Sequence, residues 1–295
     1  MPFCAVIPCG PDSVEIERLH DLIEAVYHYE PSCREVFILN DGNARLDELH
    51  SCRYQLLTNP RRGHGWGVGG GLVVGQLFAY RAIYEQWPDL SYILRLDTDA
   101  HVIRPFHAAL NACFNDRTIG MVGSRIASDT LPPYKVTPPL SYFAGKVRKL
   151  KAPLSLWRKP YFHVRCSAYG THRKVAKMFS AAESRGYTSG ELIEGGSFAV
   201  SRAWVENLVR ANLSADDFLD IPVTDDIVTT MLTYYLGLRA VDAEIFCIEP
   251  RTLRFGPEQF KDHAAAAIIH SIKRYRNMDE QTVRSYFRRL RRGEC

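Results

Sequence analysis

The pattern of apolar and polar residues alternates between two periods along the first third of the chain. Four short apolar runs have the length of buried strands: FCAVIPC (3–9), EVFILN (35–40), YQLLTN (54–59) and SYILRLD (91–97). Between them, apolar residues recur at helical spacing over 13–29 and 72–87. Continuous apolar strands indicate a sheet that is buried on both faces, and intervening helices indicate mostly parallel strands. We therefore predict an α/β fold in which helices flank a mixed, mostly parallel sheet.

A different composition separates this part of the chain from the rest. The stretch 130–182 contains eleven Lys or Arg residues and no Asp or Glu. Ordered patterns then return, with strand-like EGGSFAVSR (194–202) and EIFCIE (244–249), a helix opening near Thr224, and a basic helical tail over 280–292. At these changes we divide the chain into the segments 1–128, 129–185, 186–278 and 279–295.

The overall composition is that of an ordinary globular protein, since 46% of the 295 residues are hydrophobic and 24% are charged. The formal net charge of +4 is too small to indicate nucleic-acid binding by the whole chain. The eight cysteines form no C-x-x-C pair and follow no secretory signal pattern, so we expect reduced thiols in a cytoplasmic protein. No apolar run approaches the roughly 20 residues needed to cross a bilayer, and peripheral attachment to a membrane is left open.

Two carboxylates, Asp97 and Asp99, stand one residue apart at the end of the SYILRLD run. Ligands of parallel sheets bind beyond the carboxyl ends of the strands, and both carboxylates reach one site there if the backbone turns. Mg²⁺ and Mn²⁺ bind to few carboxylates together with waters and phosphate oxygens. The pair therefore fits a metal that bridges a diphosphate. The alternative is a solvated acidic turn that caps the helix following Pro105.

The loops after the other strands carry weaker signals. RRGHGWGVGGG (61–71) contains a formal G-x-G-x-x-G, but a dinucleotide fingerprint should follow the first strand and this one follows the third. We interpret it as a loop whose Arg61, Arg62 and backbone amides approach a phosphate-bearing ligand; the alternative is a plain glycine-rich turn. Asp41 in NDG (40–42) can accept hydrogen bonds from a base or a ribose, and Asn-Asp-Gly is also a common turn sequence.

Two further acids open a helical stretch, PVTDDIVTTMLTYYLG (222–237). Thr224 fits the N-cap position, and Asp225 and Asp226 suit the positive end of the helix. Capping is sufficient to explain both carboxylates. The functional alternative is that one of them is a general base that deprotonates an incoming hydroxyl group.

Seven short stretches, taken in order along the chain, resemble the GT-A fold glycosyltransferases and most closely those of family 2: VIPCGP, VFILNDG, NPRRG, LRLDTDAH, GGSFAVSR, TDDIV and IIHSIK. The resemblance covers residues 3–273. It implies a GT-A type, Rossmann-like sheet, a nucleoside diphosphate sugar as donor, with UDP-sugars favoured, and Mn²⁺ or Mg²⁺ as cofactor.

Applied residue by residue, the resemblance places donor-binding groups in the first half of the chain. It implies that Pro8 and Asp41 line the nucleoside pocket. It implies that Arg62 and Gly63 belong to the loop near the donor, and that Asp97 touches the ribose or the metal.

The resemblance also implies metal ligands and a catalytic base. Asp99 would be the principal metal ligand, with Asp97 beside it, and His270 of IIHSIK would complete the metal site. The alternative for a lone histidine near a helix is a surface residue. Asp226 would be the catalytic base, with Asp225 as the second candidate. A base opposite the departing diphosphate gives a single displacement that inverts the anomeric centre.

Acceptor binding is expected in the second half and in the basic segment. Gly195 and Gly196 of GGSFAVSR are implied to lie on the acceptor side. The cations and aromatic residues of 129–185 would suit a phosphorylated lipid, an acidic polysaccharide or nucleic acid, and the alternative is a solvated loop balanced by acids elsewhere. The tail TVRSYFRRLRR (282–292) has the pattern of a basic amphipathic helix on a membrane surface and also that of an ordinary packed terminal helix, which we favour.

We therefore expect a metal-dependent, inverting glycosyltransferase that moves a sugar to a hydroxyl group of a glycan, a lipid-linked molecule or another acceptor. Segment 1–128 would be the nucleotide-sugar-binding half, 129–185 a basic insertion, 186–278 the acceptor and catalytic half, and 279–295 a basic C-terminal helix. Two alternatives are a sugar-phosphate nucleotidyltransferase, which releases pyrophosphate, and a non-enzymatic basic module for an acidic polymer or a membrane. Nucleic acid is not the expected partner, although the basic segment leaves it open.

Overall fold

The two periodicities correspond to the strands and helices of the computed structural model, which describes residues 2–42, 52–61, 71–126, 173–188, 190–219, 224–252 and 265–294, with the single positions 46, 49, 221, 257 and 258 between them. The strands are β1 (Phe3–Cys9), β2 (Cys33–Asn40), β3 (Gln55–Thr58), β4 (Tyr92–Leu96), β5 (Ala100–Val102), β6 (Ile119–Ile126), β7 (Leu192–Ser201), β8 (Arg239–Asp242), β9 (Phe246–Thr252), β10 (Ile268–Tyr275) and β11 (Met278–Asp279). The helices are α1 (Ser13–Tyr29), α2 (Gly71–Gln86), α3 (His107–Phe114), α4 (Arg173–Glu183), α5 (Arg202–Arg210), α6 (Asp225–Tyr235) and α7 (Glu280–Arg291), with a 3₁₀ turn at Ala215–Phe218.

Among the described residues, seven strands form the central sheet, in the order β3-β2-β1-β4-β7-β6-β8. Neighbours are parallel from β3 to β4 and between β6 and β8, whereas β7 is antiparallel to both β4 and β6. The predicted α/β class, with a mixed and mostly parallel sheet flanked by helices, is thereby confirmed. Segments 1–128 and 186–278 both contribute strands to this sheet.

Successive residues of β1 point into two different cores, because neighbouring side chains of a strand face opposite sides of the sheet. Cys4 and Val6 belong to the core that α2, α4, α5 and α6 cover. Phe3, Ala5 and Ile7 belong to the core under α1 and α3. Burial on both faces explains why the strands are continuous apolar runs in the sequence.

A second, smaller sheet is built around β10. Strands β5 and β11 pair with β10 in the antiparallel direction, and β9 pairs with it in parallel. The chain passes from β4 of the central sheet directly into β5 of the second sheet. The turn 97–99 between these strands therefore lies at the junction of the two sheets.

The C-terminal helix α7 packs against the second sheet. Val283 and Phe287 are buried together with Ile103, Ala266 and Ile269. The apolar stripe of the tail is therefore used inside the protein, as we favoured for an ordinary terminal helix. Within the part of the chain that the structure describes, no helix is long and apolar enough to span a membrane.

Arg284 connects α7 to the turn between β4 and β5. Its Nη2 donates to the backbone oxygen of Thr98 at 3.2 Å, and its Nη1 lies 3.3 Å from the buried carboxylate of Asp21 on α1. The carboxylate of Asp21 also accepts hydrogen bonds from Arg288 at 3.3 Å and from Arg291 at 2.6 Å. Burial raises the pKa of Asp21, but the arginines outweigh this effect and hold the pKa below its usual value.

The Asp21→Asn substitution is expected to lower the free energy of unfolding by about 3 kcal/mol at neutral pH, because it leaves buried arginine charge without its carboxylate. Urea unfolding measures this loss. Since the native pKa of Asp21 is depressed, the stabilisation is full above the ordinary carboxyl pKa and is lost as the pH falls through the native value. The difference in free energy of unfolding between Asp21→Asn and the wild-type protein should therefore become smaller at acidic pH.

The matched control is Asp89→Asn, which breaks the exposed ion pair between Asp89 and Arg34. Exposed pairs contribute little, so this variant should unfold close to the wild-type protein. An equal loss of stability in both variants would contradict the role assigned to Asp21.

Candidate active site

The order of the strands reverses between β1 and β4. From β1 the chain moves outward through β2 and β3, and β4 then pairs with the other side of β1. In open α/β sheets, ligands bind at such a switch point, beyond the carboxyl ends of the strands. Strand β7 is antiparallel to β4, and its Ser197 pairs with Leu96, the last residue of β4. The part of β7 that precedes Ser197 therefore lies at the carboxyl end of β4.

Asp97, Asp99 and His270 meet at this edge and form what we call the Asp-Asp-His cluster. Asp97 follows β4 directly, and β5 pairs with β10 so that Ala100 lies opposite His270. Nε2 of His270 is 3.2 Å from Oδ2 of Asp97 and 3.0 Å from Oδ1 of Asp99. One ligand atom from each residue lies within 4.8 Å of the others. The structure thus brings the three predicted metal ligands together, and His270 lies on a strand with its side chain only 13% exposed.

Opposite charges hold the Asp-Asp-His cluster together. Burial alone would lower the pKa of His270, but hydrogen bonds to Asp97 and Asp99 outweigh that effect and raise the pKa to about 9. Burial raises the pKa of Asp97, whereas Arg95 and His270 lower it, and the net result is a decrease. Two carboxylates and an imidazole are suitable ligands for a divalent cation such as Mn²⁺. A metal would bind here in exchange for the imidazolium proton, since a histidine ligand must be neutral.

Gly196 permits the close approach of His270 to Asp97. Its φ of 102° lies in the region that favours glycine. Its carbonyl oxygen accepts a hydrogen bond from the backbone N–H of Asp97 at 2.6 Å. A Cβ atom at this position would overlap the ring of His270. The predicted acceptor residue Gly196 is therefore part of the wall of the Asp-Asp-His cluster.

The Gly196→Ala substitution is expected to prevent Mn²⁺ binding at the cluster, because the added methyl group must displace the His270 ring. The matched control is Gly186→Ala, since Gly186 has a similar φ of 97° but no described atom within 4 Å of its Cβ position. Both variants should lose about 1 kcal/mol of stability through backbone strain. Calorimetric titration with Mn²⁺ distinguishes them, and wild-type affinity in the Gly196 variant would contradict this account.

Asp225 and Asp226 open α6 after the N-cap residue Thr224, but they point to different partners. Oδ2 of Asp225 accepts a hydrogen bond from Nε2 of Gln76 at 3.0 Å and lies 3.8 Å from Nη2 of Arg95. Oδ1 of Asp226 accepts hydrogen bonds from the hydroxyl of Thr224 and from the backbone N–H of Ile227. Asp225 therefore faces Arg95 and the Asp-Asp-His cluster, whereas Asp226 caps its own helix.

A buried arginine connects the two acidic groups. Nη2 of Arg95 is 2.6 Å from Oδ1 of Asp97, and the Arg95 side chain is 1% exposed. Its guanidinium lies 5.6 Å from the centre of the Phe198 ring. Sequence analysis missed both Arg95 and Gln76. The available signal was a cation inside the apolar run SYILRLD, because an arginine in a buried strand requires an acidic partner.

The surroundings of Asp225 raise its pKa to about 6. Burial is the largest cause, and the like charges of Asp226 and Asp97 add to it. Arg95 and the hydrogen bond from Gln76 act in the opposite direction. A carboxyl group whose pKa lies near neutrality is suited to exchange protons with a substrate.

Gly195, the other predicted acceptor residue, lies beside the two acids of α6. A Cβ atom at Gly195 would be 3.7 Å from Cβ of Asp226 and 3.9 Å from Oδ2 of Asp225. The backbone of Gly195 therefore lies next to both acids, with no side chain between them.

Pro8 and Asp41 lie at the ends of β1 and β2, on the other side of the switch point. Pro8 is paired with Leu39 in the parallel register of these strands. The backbone N–H of Asp41 donates to the oxygen of Cys9 at 2.9 Å. The buried carboxylate of Asp41 accepts a hydrogen bond from the side chain of Asn59, which follows β3. The structure thus places both predicted nucleoside-binding residues at the carboxyl ends of β1 and β2, the edge at which open α/β sheets bind ligands.

The predicted donor residues Arg62 and Gly63 lie outside the described residues, as does most of the basic segment. Of segment 129–185, the structure describes 173–185. There, α4 packs its apolar face into the core, and Lys174 pairs with Asp217 at 2.5 Å.

Comparisons with known proteins find similarity in three dimensions only. No family model matches the chain, and no curated protein matches its sequence significantly. Glucosyl-3-phosphoglycerate synthase from Mycobacterium tuberculosis, in complex with Mn²⁺, UDP-glucose and phosphoglyceric acid, aligns at 11% identity over 82% of this chain and 69% of that chain, with a TM-score of 0.39. The galactosyltransferase LgtC, in complex with donor and acceptor sugar analogs, aligns at 11% identity over 98% and 95% of the two chains, with a TM-score of 0.45.

A glycosyltransferase involved in the glycosylation of the major capsid of PBCV-1 aligns at 10% identity over 98% of this chain and 99% of that chain, with a TM-score of 0.44.

Proposed function

We propose that the protein is a metal-dependent glycosyltransferase that moves a sugar from a nucleoside diphosphate sugar to a hydroxyl group. The observation that carries this proposal is the arrangement of two acidic groups around Arg95 at the switch point of the sheet. Nη2 of Arg95 approaches both groups, lying 2.6 Å from Asp97 of the Asp-Asp-His cluster and 3.8 Å from the carboxylate of Asp225. Sugar transfer requires charge neutralisation at the departing diphosphate and removal of a proton from the acceptor, and this arrangement provides a group for each.

Asp97, Asp99 and His270 are the residues that would hold Mn²⁺ or Mg²⁺. When bound, the metal would neutralise negative charge on the departing diphosphate. The imidazole favours Mn²⁺ over Mg²⁺, which prefers oxygen ligands. Arg95 supports the ligand set, because its charge helps to keep Asp97 ionised.

We assign the catalytic base to Asp225 and not to Asp226, the residue that the sequence resemblance implied. Asp226 is engaged in capping α6, whereas Asp225 and Asp97 of the cluster both approach Nη2 of Arg95. Gly195 and Gly196 would lie on the acceptor side, between the cluster and these acids. A base on the face opposite the diphosphate favours inversion of the anomeric centre.

Donor binding is proposed for Pro8, Asp41, Arg62 and Gly63, with UDP-sugars favoured and a glycan or lipid-linked molecule as acceptor. The position of Pro8 and Asp41 at the ligand-binding edge supports this assignment. The described cysteines are free thiols, in keeping with a cytoplasmic location. Because the apolar stripe of α7 is packed inside the protein, a peripheral membrane contact would have to use another surface.

Thermal-shift measurements with UDP, GDP, CMP and NAD, each with Mn²⁺ and with chelator, test the proposed donor class. Stabilisation by one nucleoside diphosphate only in the presence of metal is the expected result. Release of nucleoside diphosphate from a sugar donor would then support the transferase, whereas release of pyrophosphate would indicate a nucleotidyltransferase. No response to any nucleotide would contradict the proposed function and favour a non-enzymatic binding module.

A further inference from the structure

Several buried polar side chains lie next to Asp225, and two of them, Gln76 and Tyr80, have no part in the steps proposed above. Gln76 and Tyr80 are one turn apart on α2, so they lie on the same side of that helix. Arg95 reaches the same region from β4, and its charge acts on both Tyr80 and Asp225. Gln76, Tyr80 and Arg95 are 1%, 0% and 1% exposed. They therefore form a polar group inside the protein, on the side of Asp225 away from solvent.

Gln76 and Arg95 both approach the same oxygen of Asp225. Nε2 of Gln76 is 3.0 Å from Oδ2, and Nη2 of Arg95 is 3.8 Å from it. Among the described residues, no donor forms a hydrogen bond with Oδ1. A carboxylate that is held through one oxygen presents the other in a defined direction. Asp225 is thus held in the manner expected of a group that must meet a substrate in one orientation.

The polar atoms around this contact are incompletely paired. Nε and Nη1 of Arg95, Oε1 of Gln76 and the hydroxyl of Tyr80 have no hydrogen-bond partner in the described part of the chain. Buried polar groups without partners are costly and uncommon. Apolar residues of similar size would meet a requirement for packing alone at lower cost. The contacts that Gln76 and Arg95 make with acids account for their presence better than packing does.

Arg95 has a second contact that Gln76 lacks. Its Nη2 lies 2.6 Å from Asp97 of the Asp-Asp-His cluster. One guanidinium therefore touches both the proposed base and a proposed metal ligand. Within the described ranges, the hydrogen bond of the Gln76 side chain goes to Asp225, so the roles of the two residues can be distinguished by experiment.

We propose that Gln76 and Arg95 are positioning residues, Gln76 orienting Asp225 toward the acceptor hydroxyl and Arg95 holding Asp225 and Asp97 at a fixed separation. This inference rests on the proposed glycosyltransferase function. Both residues act through the acids that they contact, and neither is assigned a step of its own in the reaction.

The Gln76→Met variant tests the first half of this proposal, because methionine has a similar length but cannot donate a hydrogen bond. It is expected to lower kcat about tenfold, with the donor KM and the Mn²⁺ requirement unchanged. The control is Gln86→Met, at the exposed last residue of the same helix, which should keep the wild-type kcat. A wild-type kcat in Gln76→Met, or an equal loss in Gln86→Met, would overturn the role of Gln76.

The Arg95→Lys variant tests the second half and retains the positive charge, so that the fold is preserved. A lysine ammonium is a point charge on a flexible stem, whereas the planar guanidinium fixes the direction in which Nη2 approaches the two acids. The expected result is a lower kcat together with weaker Mn²⁺ binding. A change confined to kcat, with wild-type Mn²⁺ affinity, would overturn the link between Asp225 and the metal cluster.

A measurement that does not depend on activity separates this inference from the proposed function. The carboxyl titration of Asp225 can be followed by ¹³C NMR on aspartate-labelled protein and assigned with Asp225→Asn. Gln76→Met should raise the pKa of Asp225, because it removes a hydrogen bond to the ionised carboxylate. Absence of sugar transfer by the wild-type protein would defeat the proposed function alone, whereas an unchanged Asp225 titration in Gln76→Met would overturn the positioning contact.

Discussion

The Asp225→Asn variant is expected to transfer sugar about 10² to 10⁴ times more slowly than the wild-type protein, the usual contribution of a general base. Asparagine preserves the shape of the side chain and can still face Gln76 and Arg95, but it cannot take a proton from the acceptor. Binding of the donor and of Mn²⁺ should therefore persist while kcat falls. Steady-state kinetics combined with thermal-shift titration measures both quantities on one protein.

The matched control for this prediction is Asp226→Asn, one residue further along the same helix. The Oδ1 atom of Asp226 accepts hydrogen bonds from Thr224 and from its own helix, so its loss should affect helix capping more than transfer. A large loss of kcat in Asp226→Asn, with near-normal transfer in Asp225→Asn, would return the base to the residue that the sequence resemblance implied.

The pH dependence of transfer provides a second test of Asp225. A base acts in its ionised form, so activity should fall as the pH drops through the pKa of Asp225, which its surroundings raise to about 6. The charged and titratable groups that face it are Arg95, Asp97, Asp226 and, from α2, Tyr80. A bound divalent cation would add positive charge near Asp97 and so lower the pKa of Asp225. The fall in activity in acid is therefore expected at about pH 6 or below. Activity that remains constant down to pH 4 would exclude Asp225 as the base.

The Asp99→Asn variant is expected to lose the metal-dependent part of nucleotide binding completely. Asp99 supplies one of two carboxylates in the Asp-Asp-His cluster, and an amide oxygen is a much weaker ligand for a hard cation. For the wild-type protein, a ligand at about 100 times its Kd adds roughly 2.7 kcal/mol to stability, or a few degrees in Tm for a chain of this size. The Asn variant should show no such shift with Mn²⁺ and nucleotide.

The control for this prediction is Asp116→Asn, which removes an equal charge from an exposed turn before β6, where Asp116 pairs with Arg239. Its melting temperature without ligand can differ from that of the wild-type protein, but the shift induced by nucleotide and Mn²⁺ should be normal. An undiminished shift in Asp99→Asn would remove the metal assignment from the cluster. The cooperative unfolding of both variants checks that the fold is intact.

The hydrophobic pattern was sufficient to predict the α/β class and most of the elements. Strands buried on both faces are apolar at nearly every position, with Arg95 of β4 as an exception. Helix α6 carries its start signal in Thr224 and its apolar stripe in the residues that follow. The pair Asp97 and Asp99 could also be placed at a strand end, because a run of apolar residues ends there. These inferences depend on interactions between residues that are close in sequence.

The choice between Asp225 and Asp226 could not be made in this way. Both residues follow the same cap, and both suit the first turn of a helix. Adjacent side chains on a helix point about 100° apart, so only the packing of α6 against α2 and β4 determines which carboxylate meets Gln76 and Arg95. The partner residues lie far away along the chain and leave no periodic signal.

Local patterns along the chain predict the class of fold, the acidic turn after β4 and the helix that carries the second pair of acids. The contacts of the folded protein were needed to show that His270 faces Asp97 and Asp99, that Arg95 joins this cluster to Asp225, and that the stripe on α7 packs inward. Helices and strands follow from local periodicity, whereas a site depends on strand register and on the rotation of helices. A shift of one residue in the pairing of β5 with β10 would turn His270 to the opposite face of its sheet.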